Sequence, residues 1–253
     1  MTPDVVVDIG NTRIKWGWMP EGAIGLKVAS LPPDDETAWN NHLTTLPKSE
    51  SRSWAVASVH PARLERFSAW AKARGEALQV IDRSHIPLNL DVDEPLKVGI
   101  DRLLNALAAR RRCPEGEPVV IIDAGSAVTV DLLDEHNVFR GGAILPGPRL
   151  MARSLHEYTA KLPELPIHEI PSKDPPGRNT EDAITVGIMA ALMGGCAMLV
   201  EEYMGKCSQP PTVLMTGGAL GYLVDFDFAN GTQAGGPFPL TLEGIRIAAE
   251  ALP

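Results

Sequence analysis

The sequence predicts an α/β protein made of two like halves, and three observations carry that prediction. The stretches VVVDIGNT, ending at Thr12, and VVIIDAGSAVTVD, ending at Asp131, repeat one pattern: a β-branched apolar run, an aspartate (Asp8, then Asp123), one residue, a glycine and a small hydroxyl or amide residue. Apolar runs of this kind read as strands buried on both faces. Each stretch opens a series of three short strands joined by turns, and each series is followed by helical and strand patterns in alternation, the layout of a mixed sheet covered by helices. A single apolar-Asp-x-Gly would read as an ordinary strand and turn. Two in matching context weigh against that.

The elements follow in order. VVVDI leads into a turn, TRIKWGW alternates, and AIGLKVAS follows the Glu21-Gly22 turn, which predicts an antiparallel meander. DDETAWNNHLTTL reads as a helix from Asp34 or Asp35, its acidic first turn matching the helix dipole. SWAVASV is a strand, PARLERFSAWAKARG a helix opened by Pro61 and closed by Gly75, and LQVI a strand. Residues 82–98, with two prolines and several acids, resist assignment. GIDRLLNALAARRR places Ile100, Leu103, Leu104 and Leu107 at helical spacing. After a turn at residues 114–117 the second half runs VVIIDAGS, AVTVDLLD and NVFRGGAIL as strands, then PGPRLMARSLHEYTA as a helix. A proline-rich loop (162–178), a long helix from near Thr180, the strand PTVLMT and the helix LEGIRIAAEAL complete it. The layout is similar to duplicated ribonuclease-H-like domains, as in the actin, hexokinase and acetate-kinase superfamily. It implies domains 1–115 and 116–253 with an active site in the cleft between them.

Composition narrows the function. The 253 residues carry a net charge of −9, so the surface as a whole repels nucleic acid and anionic membranes. A polyphosphate substrate would need local positive charge from Mg²⁺, backbone amides or selected Lys and Arg. Three cysteines (Cys113, Cys196, Cys207) show neither pairing nor metal-ligand spacing and read as free thiols, partly buried, in a reducing compartment. The six histidines lack H-x₃-H or HExxH spacing, which argues against zinc. There is no basic segment before an apolar core at the N-terminus, and no uninterrupted apolar run is expected to reach the roughly 20 residues that span a bilayer. The expected location is cytoplasmic.

Residues Asp8, Ile9, Gly10, Asn11, Thr12, Arg13, Ile14 and Lys15 form the candidate phosphate loop. Gly10 permits the tight turn, Asn11, Thr12 and backbone amides can meet phosphate oxygens, and Asp8 can hold Mg²⁺ directly or through water. Lys15 is either a phosphate point charge or a solvated residue of an alternating strand. In the second stretch Asp123 takes the strand-end position and Ser126 the phosphate-facing one, while Asp131 reads as a turn acid leading into the 134–137 hairpin. In the segment Gly99, Ile100, Asp101 and Arg102, Asp101 can accept a proton from a hydroxyl and Arg102 can fork onto a carboxylate. Asp in a first helical turn is also favourable with no catalytic duty. Asn179-Thr180 sits where a helix cap belongs, and Thr216-Gly217-Gly218 reads as a nucleoside-receiving or ordinary strand–helix turn. Gly141, Gly142 and Gly147 read as residues permitting close packing.

As an ordered set, DIGNT (8–12), P-x-x-V-G-I-D-R (95–102), DAGSAVTVD (123–131), GGAILPG (141–147), the Leu155 to Pro163 segment, Asn179-Thr180 and Thr216-Gly217-Gly218 resemble type III pantothenate kinases over essentially the whole chain. The resemblance implies ATP-dependent phosphorylation of pantothenate, the first step toward coenzyme A. By the same resemblance residues 8–15 would hold the ATP phosphates with Mg²⁺ on Asp8, and Ser126 would contact ATP. Gly99, Ile100, Asp101, Arg102 and Thr180 would bind pantothenate, with Asp101 the base and Arg102 addressing the carboxylate. Asp123 would hold a monovalent cation, K⁺ or NH₄⁺. The family's members are homodimers. Two departures stand out. Ser126 falls where the family often has threonine, which keeps the hydroxyl. Val92 falls where it usually has a tyrosine, a loss of roughly 1 kcal/mol of hydrogen bonding to the acceptor. Competing readings are a non-catalytic relative acting as a regulator and another actin-like small-molecule kinase or phosphatase.

Overall fold

The computed structural model describes residues 2–47, 52–165, 174–218, 228 and 234–252. The strands among them are β1 (Val5–Ile9), β2 (Ile14–Trp18), β3 (Lys27–Leu31), β4 (Ser53–Ser58), β5 (Ala77–Val80), β6 (Asn89–Leu90), β7 (Val119–Ala124), β8 (Ala127–Leu133), β9 (Val138–Pro146), β10 (Thr212–Thr216) and β11 (Ala234–Gly235). The helices are α1 (Glu36–Leu43), α2 (Pro61–Lys72), α3 (Ile100–Arg112), α4 (Pro148–Glu157), α5 (Thr180–Met204) and α6 (Leu240–Glu250). They form two compact units, Met1–Asn89 with Asp93–Arg112 and Pro239–Pro253, and Leu90–Val92 with Cys113–Phe238.

In the first unit the sheet order is β3-β2-β1-β4-β5, with β1–β2 and β2–β3 antiparallel and β1–β4 and β4–β5 parallel. Strand alternation splits β1 between two faces. Val5, Val7 and Ile9 pack with Ile14, Trp16, Trp54, Val56 and the rings of Trp39, Phe67 and Trp70 from α1 and α2. Most of the ring pairs meet edge-on, as Trp16 and Trp54 do at 5.0 Å, the geometry aromatic quadrupoles favour. Local signals place the helices: the Asp35 carboxylate accepts the Ala38 N–H at 3.0 Å, and Pro61 opens α2.

The opposite face carries Val6 and Gly17 and is covered by α6. A Cβ at Gly17 would lie 2.9 Å from Val6 and 3.1 Å from Leu242. Helices α3 and α6 touch backbone to backbone, since a Cβ at Gly244 would fall 2.1 Å from the Leu104 carbonyl oxygen. The buried Thr241 hydroxyl donates to Asn105 Oδ1 at 2.8 Å, and Arg112 forks onto Glu243 at 2.6 and 2.5 Å. These contacts are why the C-terminal helix belongs to the first unit rather than to the half of the sequence that contains it. In the same way Leu90–Val92 joins the second unit, where the Asp91 N–H donates to the Phe139 carbonyl at 3.0 Å and Asp91 pairs with Arg140. The compact units are thus discontinuous, unlike a division at 115/116.

The second unit repeats the topology. Its sheet order is β11-β10-β7-β8-β9-β6, with β10 parallel to β7 and β11, and β7–β8 and β8–β9 antiparallel. Strand β7 therefore corresponds to β1, β8 to β2, β9 to β3 and β10 to β4. Val120, Ile122, Ala124, Val128 and Val130 pack against Ile184, Ile188, Leu192, Cys196 and Val200, one residue in four along α5. By length and composition α5 could cross a bilayer, with 25 residues and a mean hydropathy of 2.1 over its most apolar window. Its apolar run is interrupted by Thr185 and flanked by acids, and the packing of its periodic side on β7 and β8 is that of a core helix. Burial pushes the Cys196 thiol up to about 11, so at neutral pH it is not a nucleophile.

Asp131 is not a turn acid. It lies within β8, 1% exposed, beside Gly142, whose missing side chain leaves room for it. The turn is held by Asp134 instead, which accepts the N–H groups of His136 (2.9 Å) and Val138 (2.8 Å). The misassignment is one of role, not of strand extent: AVTVDLLD reads as a strand, and it is Asp134 at its end, not Asp131 within it, that makes the turn.

Candidate active site

Asp8 is the penultimate residue of β1 and Asp123 the penultimate residue of β7, equivalent positions in equivalent strands. Both neighbours of each aspartate point into a core, so both carboxylates point to the other face of their sheets. Their flanking residues differ. Asp8 is paired with Lys15 on β2 and Ala57 on β4, whereas Asp123 is paired with Thr129 on β8 and Thr216 on β10. Residues in directly opposed positions share a face with Cβ atoms about 5 Å apart. One carboxylate therefore shares its row with an ammonium, the other with two hydroxyls. Among the described residues the Thr129 hydroxyl is buried with no hydrogen-bond partner, a rare condition for a buried polar group, and Thr216 is 3% exposed. An all-oxygen row of carboxylate and hydroxyls suits a hard cation; Lys15 suits an anion.

The turns after the strands differ too. Residues 10–13 connect β1 to β2, but only residues 125–126 connect β7 to β8. The longer turn closes with the Gly10 N–H donating to the Arg13 carbonyl at 3.0 Å, and it leaves Asn11, Thr12 and Arg13 exposed. Arg63 of α2 lies behind it. Its Nη1 donates to the Gly10 carbonyl (3.1 Å) and the Asn11 carbonyl (2.5 Å), while Nε and Nη2 fork onto Asp34 at 3.1 and 2.7 Å. The hydrogen bond from Arg63 holds the Asp34 carboxyl below the usual carboxylate range. In the shorter turn the Ser126 carbonyl accepts the Gly147 N–H at 3.1 Å, and a Cβ at Gly147 would sit 2.5 Å from that oxygen. Gly217, at φ +106°, ends β10 with its α-carbon pressed on the Ala124 backbone, where a Cβ would come within 2.4 Å.

Asp101 occupies the first turn of α3, half-buried, with Oδ1 accepting the Arg102 N–H at 2.9 Å. The carboxylate folds back over Gly99, where a Cβ would meet Oδ1 at 2.4 Å, so any other residue at 99 would move Asp101. The loop before it is fastened by Arg83, which donates to the carbonyls of Pro95 (2.7 Å) and Val98. The phosphate-loop candidates and Gly99, Ile100, Asp101 and Arg102 lie in the first unit; Asp123, Ser126 and Thr180 lie in the second. Thr180 is exposed at the start of α5, whose cap is Asn179 Oδ1 accepting the Asp182 N–H at 2.8 Å. Val92 packs on Gly141, 3.3 Å from the position of a Cβ there. A cavity of about 440 Å³ at the β8–β9 hairpin, lined by Asp91, Asp134, Arg140 and Lys206 among others, shares no residue with either aspartate turn.

Residues 5–202 match the family model described as type III pantothenate kinase. The chain belongs to that family. A type III pantothenate kinase of Rhodopirellula baltica is 34% identical, with 87% of this chain and 89% of the relative covered. One of Rhizorhabdus wittichii is 32% identical, covering 85% and 86%. Solved structures show the fold at much lower identity. The ethanolamine utilization protein EutJ of Carboxydothermus hydrogenoformans superposes with a TM-score of 0.53 at 16% identity, over 96% of this chain and 89% of that one. A glucokinase from an Antarctic psychrotroph gives 0.50 at 14%, over 99% and 100%. The duplicated sheets and these neighbours make the architecture that of duplicated ribonuclease-H-like domains. Membership in the family makes the protein an ATP-dependent kinase. Sequence reasoning had no means to find Thr129, Arg63 or Asp34: the first needs the β7–β8 register, and the other two need α2 and the loop before α1 folded behind the turn.

Proposed function

We propose that the protein transfers the γ-phosphoryl group of ATP to the primary hydroxyl of pantothenate, giving 4′-phosphopantothenate, the first step of coenzyme A biosynthesis. The observation that carries this reading is the divergence of the two aspartate turns on a chain of this family: one with an ammonium and a long turn of amides, the other with hydroxyls. The first is fit for a polyphosphate. Residues 8–15 take the ATP phosphates, with Lys15 as a point charge across the sheet from Asp8 and Asp8 as the Mg²⁺ ligand. Mg²⁺ supplies charge neutralisation on the phosphate oxygens. The second is fit for a monovalent cation at Asp123, Thr129 and Thr216, with the Ser126 hydroxyl toward the nucleotide. K⁺ or NH₄⁺ there would supply positive charge that an acidic protein otherwise lacks.

Phosphoryl transfer through a loose transition state asks for positioning and charge neutralisation more than for covalent help. Asp101 orients the acceptor hydroxyl and accepts its proton late in the transfer. Arg102 addresses the pantothenate carboxylate, and Gly99, Ile100 and Thr180 line its place. The test is a coupled assay of ADP release. Release should require pantothenate, rise when K⁺ replaces Na⁺, and need about five- to tenfold more K⁺ for half-effect in Thr129→Val, the cost of one lost oxygen ligand. ADP release indifferent to pantothenate would point to a different acceptor, and pantothenate binding without turnover to a regulator.

The protein also acts as a homodimer in this reading. A helix apolar on all sides is normally covered on all sides. Yet α5 leaves Ala183, Gly187, Ala190, Gly194 and Met198 exposed along one side. Small residues on such a face let a second helix approach closely. Sedimentation at micromolar concentration should give twice the chain mass, and a monomer under those conditions would refute the dimer.

A further inference from the structure

We propose that Arg63 is the positioning residue of the phosphate turn. From behind, it holds the Gly10 and Asn11 carbonyls and so sets the direction in which the Asn11 and Thr12 amides are presented. The proposal rests on the reading that residues 8–15 take the ATP phosphates.

The argument is one of peptide geometry. In a trans peptide the C=O and the following N–H point in opposite directions. The Gly10 carbonyl shares its plane with the Asn11 N–H, and the Asn11 carbonyl with the Thr12 N–H. Both carbonyls accept from the same Arg63 nitrogen, so both amides are turned away from the guanidinium. Successive N–H groups presented on one side form a concave anion-binding nest. The preceding carbonyl is held by the neighbouring segment: Ile9 O accepts the Val59 N–H at 3.3 Å and the Ser58 hydroxyl at 3.2 Å. The end of β4, the residue after it and the first turn of α2 thus grip three consecutive carbonyls, and Arg63 supplies the grip on the two that lie in the turn itself.

An ordinary ion pair would not look like this. Exposed Arg–Asp pairs are worth little and leave the guanidinium free to move. Here the side chain of Arg63 is only 18% exposed, and Asp34 takes the Nε and Nη2 edge in a fork that fixes the plane of the group. With that edge held, Nη1 can reach only the turn. Lysine, a single ammonium, cannot serve a carboxylate fork and two carbonyls in one plane.

The experiment compares Arg63→Ala, Arg63→Lys and Asp34→Asn with the unaltered enzyme. It measures KM for ATP and for pantothenate, the calorimetric affinity for ADP, and the thermal midpoint. Loss of a charge-assisted grip on two carbonyls should raise the ATP KM and the ADP Kd by about tenfold or more in Arg63→Ala, with pantothenate KM within about twofold. Arg63→Lys should recover little of it. Asp34→Asn, which keeps the side-chain shape and is the variant least able to disturb folding, should fall between. Equal losses for both substrates together with a collapsed midpoint in all three would make Arg63 merely structural and overturn the proposal. Unchanged nucleotide affinity in Arg63→Ala would overturn it as well. Asp8→Asn, measured alongside, separates the causes. If it weakens ADP while Arg63→Ala does not, the phosphate turn stands and the positioning role fails; if neither moves ADP, the reading of the turn itself fails.

Discussion

Replacing Asp101 by asparagine is expected to lower kcat by about a hundred- to ten-thousandfold, the range a positioned general base contributes, while both substrates bind nearly as before. The substitution is a narrow one here. Asparagine keeps an oxygen where Oδ1 accepts the Arg102 N–H at 2.9 Å, and it fits over Gly99 as the carboxylate does. The first turn of α3 should therefore survive, so a fall in turnover would report on proton acceptance. Steady-state kinetics with saturating ATP and K⁺, together with pantothenate binding by calorimetry, decide the matter. Turnover within about tenfold of the unaltered enzyme would remove Asp101 from the role of base and leave it as a first-turn acid that favours its own helix.

The second large effect is on stability. Gly244→Ala and Gly244→Val should both destabilise the protein, although glycine to alanine inside a helix ordinarily gains up to about 1 kcal/mol. The sign is decided by the neighbour. The new Cβ would stand 2.1 Å from the Leu104 carbonyl oxygen, and that atom belongs to the backbone of α3, which cannot swing aside as a side chain can. Helices α3 and α6 must separate, straining the buried Thr241–Asn105 hydrogen bond and the Arg112–Glu243 fork. Overpacking of this kind costs about 1–3 kcal/mol and often more against backbone. For a chain of this size that is a fall of several degrees or more in the thermal midpoint, roughly 2–4 °C per kcal/mol. Because Asp101 rides on the first turn of α3, activity should fall with it. A raised midpoint in Gly244→Ala would show that the two backbones do not touch.

Much of the fold was legible in the chain because its signals are local. The two apolar-Asp-x-Gly runs, the three-strand series after each, the proline at the start of α2 and the Asn179 cap of α5 act through residues a few positions apart, and each element formed where its signal lies. Asp131 was misread for a non-local reason. AVTVDLLD reads as a strand through it, but only the pairing of Asp131 with Ile121 and Gly142 reveals that its carboxylate is buried beside a glycine instead of serving the turn. The helix α5 went unremarked as a span-length apolar segment because threonine and glycines interrupt the run, which matters little to a helix whose core contacts recur every fourth residue.

The sequence by itself determined that there are two copies of one strand-and-turn device and that an Asp-Arg pair stands outside both. Periodicity and turn chemistry are written in neighbouring residues, so no folding is needed to see them. What separates the copies was decided only by tertiary structure. Register sets Lys15 beside Asp8 but Thr129 and Thr216 beside Asp123, and chain crossing brings Arg63 behind the first turn and α6 onto α3. Those partners are between 6 and 140 positions apart in the chain, in the spirit of any sheet: the hydrogen-bond ladder, not the order of residues, chooses which side chains share a face.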